Sequence, residues 1–110
     1  MYTLAIDNVV EVPVKFTLKA GKVNKPFNTT LIARRLTKEE SDAMAADLSI
    51  KDFLLENVSG WSEQRLVLDG GTGEPAAFSR EALDAFLSVP GVLAICWNAY
   101  QRECAGKEKN

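Results

Sequence analysis

The chemistry open to this chain is limited first by what it lacks: none of its 110 residues is histidine. That removes the commonest general base, the histidine-dependent nucleophile triads and every metal site that needs an imidazole. Two cysteines, Cys96 and Cys104, cannot complete an all-thiolate zinc site within one chain. Read on one helix, they are separated by about 12 Å of rise, beyond the ~7 Å that the Cα atoms of a disulfide allow. Both are expected as small apolar residues on a buried stripe. The carboxylates of Glu39, Glu40, Asp42 and Asp47 lack the spacing of a calcium loop. Glu39 and Glu40 instead stand where a helix N-terminus favours negative charge. Gly70-Gly71-Thr72-Gly73 is followed by Glu74 and Pro75, where a phosphate-binding loop needs a lysine and a hydroxyl residue. A plain turn is expected there. No catalytic, cofactor-binding or metal-ligating residue is assigned, and the chain reads as a non-enzyme without a cofactor.

These residues must be carried by a fold, and hydropathy patterning outlines it. Val10, Val12, Val14, Phe16 and Leu18 alternate with Glu11, Pro13, Lys15 and Thr17, the pattern of a half-buried strand over residues 9–18. Pro13 on the outward side marks an edge or a bulge. Residues 20–26 carry turn chemistry, and the β-branched run 27–36 reads as the second strand of an antiparallel hairpin. Thr37-Lys38-Glu39-Glu40 is a capping box that opens a helix. Ser49 caps a second helix meeting the first near Leu48, and Val58 to Trp61 ends the helical stretch. Arg65 to Asp69 is expected as a short strand. Ser79 caps a third helix, with Phe78 stapled against Leu83. Val89-Pro90-Gly91 breaks it, with Pro90 at the first position of a final helix in which Val92, Cys96, Ala99, Tyr100 and Glu103 recur at helical spacing, with Leu93 and Trp97 beside them. The expectation is one α+β domain over residues 1–104, an N-terminal antiparallel β-hairpin followed by a small bundle of three to four helices. Residues 105–110 read as a polar, flexible tail.

The net charge of −2 conceals an uneven distribution. Residues 1–36 carry six basic and two acidic residues, and residues 37–63 two basic and seven acidic. Lys15, Lys19, Lys22, Lys25, Arg34 and Arg35 fall on or near the hairpin. A β-ribbon can enter a DNA groove, yet the chain is net acidic and lysine also guards strand edges. A basic hairpin contacting an acidic protein segment is the preferred reading, and no nucleic acid is expected as partner. The N-terminus lacks a basic region followed by an apolar run, so no signal peptide is expected. The longest apolar runs, such as Val92 to Trp97, fall far short of the roughly 20 residues needed to span a bilayer.

Several segments in order resemble a phage family. They are Glu11-Val12-Pro13-Val14-Lys15-Phe16-Thr17-Leu18, then Phe27 and Thr30-Leu31-Ile32-Ala33-Arg34-Arg35-Leu36-Thr37, then Phe53-Leu54 and Val58-Ser59-Gly60-Trp61, and then Leu66-Val67-Leu68-Asp69 and Pro75-Ala76-Ala77-Phe78-Ser79-Arg80-Glu81-Ala82-Leu83. Pro90-Gly91-Val92, Ala99-Tyr100 and a polar end complete the series. The order is similar to that of small tail assembly chaperones of long-tailed phages and prophages. The resemblance implies a protein of the host cytoplasm that binds the tape measure protein, keeps it soluble while the tail tube forms, and is absent from the mature virion. It also implies contact with the tail tube protein through a longer, frameshifted product. Self-association is expected, since one copy covers little of a long partner. Phe53, Leu54, Trp61, Trp97 and Tyr100 are the candidate partner contacts. The rival readings are a structural virion protein of the head–tail connector or tail terminator type, and a β-ribbon nucleic-acid-binding regulator.

Overall fold

A computed structural model describes residues 1–5 and 8–105. The chain is mixed α+β: a three-stranded antiparallel sheet that begins with a β-hairpin, together with four helices among the described residues. Strand β1 (Val9–Ala20) pairs along its full length with β2 (Val23–Arg34), from Val9 opposite Arg34 to Ala20 opposite Val23. Only Gly21 and Lys22 lie between them. Gly21 has φ +66°, and Lys22 does not share a positive φ, the pattern of a two-residue turn with glycine first. The turn is thus shorter than the 20–26 expected, because that one glycine reverses the chain and the polar residues beyond it rejoin the ladder.

The ladder also explains both strand prolines. Arg35 N–H donates to Asn8 C=O at 2.6 Å, which makes that pair a hydrogen-bonded one. Bonded and non-bonded pairs alternate in an antiparallel ladder. The odd-numbered residues of β1 therefore turn their backbone groups to the open edge. Pro13 is one of them, so its missing N–H breaks no bond to β2. Pro26, opposite Thr17, faces away from β1 by the same alternation, beyond the reach of the third strand.

That third strand, β3 (Val58–Ser62), corrects the expectation of a helix exit at Val58. It pairs with β2 from Ser62 opposite Thr30 to Val58 opposite Ala33, with a register irregularity between Ile32 and Ala33 that leaves Ser59 as the extra residue. Ser59 Oγ donates to Ile32 C=O at this point. The expected strand over 65–69 is absent. Leu68 makes only an isolated bridge to Pro75, and the segment folds back as a loop.

Helix α1 (Lys38–Asp47) has the full capping box: Thr37 Oγ1 accepts from Glu40 N–H, and Glu40 Oε1 accepts from Thr37 N–H, each at 3.1 Å. Ser49 caps α2 (Ile50–Asn57) and Ser79 caps α3 (Arg80–Leu87). Helix α4 (Val92–Cys104) opens on Gly91, whose φ of +86° turns the chain through 108° from α3. Pro90 therefore lies in the turn and not at the first helical position, because the left-handed step at Gly91 has to precede the helix. The core lies between the inner face of the sheet and the helices. Val12, Val14 and Leu31 meet Phe53, Leu54, Leu83, Phe86, Val92 and Cys96 there, all buried. Ala105 N–H closes the last turn of α4 on Gln101 C=O. Residues 106–110 of the expected polar tail lie outside the described residues.

Candidate interaction surface

Four of the five residues expected to meet a partner divide between two aromatic clusters, and the fifth, Leu54, lies in the core. Phe53 on α2 stands edge-on to Trp97 and Tyr100 of α4, with ring centroids at 5.1 and 5.8 Å, and Trp97 stacks on Tyr100 at 6.2 Å. Trp61 belongs elsewhere. On β3 it faces Phe78 at 5.3 Å and Phe86 at 5.7 Å, and Phe86 continues to Phe16. Edge-to-face pairs of this kind stabilise beyond their buried area by about 0.5–1.5 kcal/mol. The structure brings Phe53, Trp97 and Tyr100 together and sets Trp61 apart.

Burial corrects part of the contact set. Phe53 is 1% exposed, Leu54 0% and Tyr100 4%. A partner meeting the folded domain touches none of these three, because the sheet and the neighbouring helices already cover them. Trp61 and Trp97 are half-buried and packed against the core from its rim. Each offers part of a large ring to the outside while its inner edge is held by other aromatics.

The Phe53 cluster is fixed by polar residues that no periodic pattern marks. Tyr100 O–H donates to Arg34 C=O at 2.9 Å, tying α4 to the end of β2. Burial, before the nearby Cys104, raises the phenol well above its ordinary range. Asn57 is 1% exposed. Its Oδ1 accepts from Arg34 Nε and Nη2 at 3.3 and 3.1 Å, and its Nδ2 donates to Phe53 C=O and to Met44 Sδ. One amide thus joins β2, α2 and α1. Gln64 does similar work in the loop before α3, where its Nε2 donates to Val67 and Ala76 carbonyls and its Oε1 accepts from Val67 N–H. A single Asn or Gln in a sequence carries no signal that it is buried. Only the tertiary structure reveals these two.

The other candidates for chemistry resolve plainly. Asp69 Oδ1 accepts from Gly71 and Thr72 N–H, so a carboxylate of the loop itself holds the amides that a phosphate would need. Cys96 and Cys104 are free thiols. Burial pushes Cys96 up to about 12, and burial also raises Cys104. A thiol so raised is a poor nucleophile at neutral pH. Among the described residues no group of three or more Cys, Asp or Glu could hold a metal ion. No single described helix is long and apolar enough to cross a membrane.

Shallow clefts flank the core. One runs between the β1 edge and α4, lined by Pro13, Lys15, Ile95, Asn98 and Arg102. Ile95 is 37% exposed there, one position off the stripe that α4 buries. Another, nearly flat, lies on α1 and is lined by Glu40, Ala43, Met44, Asp47 and Leu48. No protein-family model, no curated protein and no solved structure matches the chain.

Proposed function

We propose that this chain is a tail assembly chaperone: a non-enzymatic binding protein that holds the tape measure protein soluble in the host cytoplasm while the tail tube forms around it. The ordered resemblance of its segments to that family motivates the reading. The observation that carries it is the placement of the two tryptophans. Trp61 and Trp97 are half-buried at the rims of separate aromatic clusters, each braced by rings at 5.1–6.2 Å. Rigid aromatic side chains set in this way bind apolar helices at little entropic cost, and tryptophan is the residue most enriched at binding hot spots.

The test is co-expression with the tape measure protein of the same phage. The chain should raise the soluble fraction of that partner several-fold, and the double variant Trp61→Ala/Trp97→Ala should lose most of the effect while remaining folded. An unchanged soluble fraction with the wild-type chain defeats the reading. Mass spectrometry of purified particles separates it from a structural virion protein, since a chaperone is absent from them.

A further inference from the structure

The chain holds two methionines, Met1 and Met44. Met1 is fully exposed. Met44 is half-buried on α1 and is the one hydrophobic residue of that helix that packs against the core. Its thioether sulfur accepts from Asn57 Nδ2 at 3.0 Å. Asn57 is also fixed without it: Oδ1 accepts from the Arg34 guanidinium, and Nδ2 donates to Phe53 C=O at 2.8 Å. Helix α1 itself buries no residue. Its hold on the rest of the fold therefore depends on one sulfur side chain, helped by the charge of Arg34 near Glu40.

That side chain is open to oxidation in the folded chain. Met44 lines the nearly flat cleft on α1, so a small oxidant reaches it from solvent. A thioether needs no deprotonation to act as a nucleophile. Of the two lone pairs on Sδ, Asn57 engages one and leaves the other for the oxidant. The thiols stand at a disadvantage. Cys96 is 0% exposed, and burial raises both Cys96 and Cys104, which leaves little of the thiolate that peroxide attacks.

We infer that Met44 is a modification site for peroxides, and that its oxidation loosens α1 from the rest of the fold. The open lone pair of Sδ attacks one oxygen of hydrogen peroxide, and the S–O bond forms as the O–O bond breaks. The departing hydroxide takes the proton from the transferred oxygen and leaves as water. Sulfur is oxidised by two electrons to the sulfoxide, and the peroxide is reduced by the same two. The product is polar where the thioether was apolar. Packing it against the core then costs free energy, because a polar oxygen loses water there. Asn57 keeps Arg34 and Phe53 C=O as partners, so the loosening stops at α1 while α2 and β2 hold. Methionine sulfoxide reductases reverse the step. The inference does not depend on the tape measure reading, since it is measured on the chain alone.

Hydrogen peroxide on the folded wild-type chain at neutral pH tests it, with peptide mass spectrometry to locate the oxygen and amide exchange to read each helix. Met44 should take one oxygen atom after the exposed Met1 but before either cysteine. Amides of α1 should then exchange several-fold faster, while those of α3 and β2 stay as they were. Treatment with methionine sulfoxide reductases should restore the slow exchange. Met44→Leu keeps an apolar side chain at the site and still carries Met1. Peroxide should oxidise Met1 in this variant and leave the exchange of α1 unchanged, which excludes Met1 as the cause. A Met44 that stays unmodified while the cysteines oxidise overturns the inference. So does a Met44 sulfoxide that leaves α1 as protected as before, or one that quickens α3 and β2 together with α1. Equal quickening by peroxide in Met44→Leu overturns it as well.

Discussion

Helices α1 and α3 begin alike and are held in opposite ways. Both open on a side-chain hydroxyl that accepts the N–H three residues on, Thr37 for Glu40 and Ser79 for Ala82, and both have glutamate in the first turn. Helix α1 is two residues longer and has the complete box. Yet α3 buries Leu83, Phe86 and Leu87 on one face, while α1 buries none of its ten residues. A cap determines where a helix starts, and an apolar stripe determines whether the rest of the molecule holds it. The difference separates a scaffold of sheet, α2, α3 and α4 from an appended acidic helix. Its ties to the scaffold run through Met44, which packs against the core and accepts a hydrogen bond from Asn57, and through the charge of Arg34 near Glu40.

The largest effect that tests this division comes from the scaffold side. Phe86 is fully buried between Phe16 and Trp61, and Phe86→Ala should lower global stability by about 3–5 kcal/mol, as large-to-small changes in cores do. Urea unfolding followed by tryptophan fluorescence measures it. A loss below about 1 kcal/mol would mean that the core can close around the gap, contrary to the packing described.

The second change tests the appended helix. Thr37→Ala removes the cap and should cost α1 about 1 kcal/mol. Amide exchange is the measurement that separates local from global loss. Exchange should quicken at the first turns of α1 and stay unchanged in α3 and β2. If all three quicken together, α1 belongs to the cooperative core and the division fails.

The same contrast explains what the sequence makes legible. The caps at Thr37, Ser49 and Ser79 and the alternation of β1 depend on near neighbours, and all appear in the fold as expected. Strand β3 escapes because it is five residues long, contains Gly60 and is interrupted at Ser59, which removes the period-two pattern. Its partner is also some 30 positions away in the chain. The contact residues escape for a related reason. Helical spacing places Phe53, Leu54, Trp97 and Tyr100 on apolar faces but does not say which faces another element covers. Only packing assigns Phe53, Leu54 and Tyr100 to the interior and leaves Trp97 at the rim.

A third prediction runs in the opposite direction. Thr29 faces inward on β2, 3% exposed, and its Oγ1 has no hydrogen-bond partner. Burying an unpaired hydroxyl costs free energy that a same-shaped apolar group does not. Thr29→Val should leave the fold unchanged and raise stability by roughly 0.5–1 kcal/mol. A drop in the urea midpoint would show that the hydroxyl has a partner which the geometry does not reveal.

The smallest effect concerns acid. Glu40 is held below the ordinary carboxylate range, chiefly because its oxygen accepts from Thr37 N–H, then through its hydrogen bond with the Thr37 side chain, and less through the charge of Arg34. The depressed value means that the folded helix prefers the ionised form. Its contribution is complete above the ordinary value of 4.5 and disappears as pH falls through the lower, folded one. The sequence of events on acidification follows from how each region is held. The first turn of α1 loses its box, whereas Phe53, Leu83, Phe86 and Leu31 keep contacts that carry no charge. Amides 39–41 should therefore shift and lose protection below pH 4.5 while those of α3 and the sheet hold. Glu40→Gln, which can still accept from Thr37 N–H without a charge, should flatten the response. A joint loss at one pH would place α1 within the scaffold. A loss confined to the first turn would show that a helix can be well begun and still be left for something else to cover.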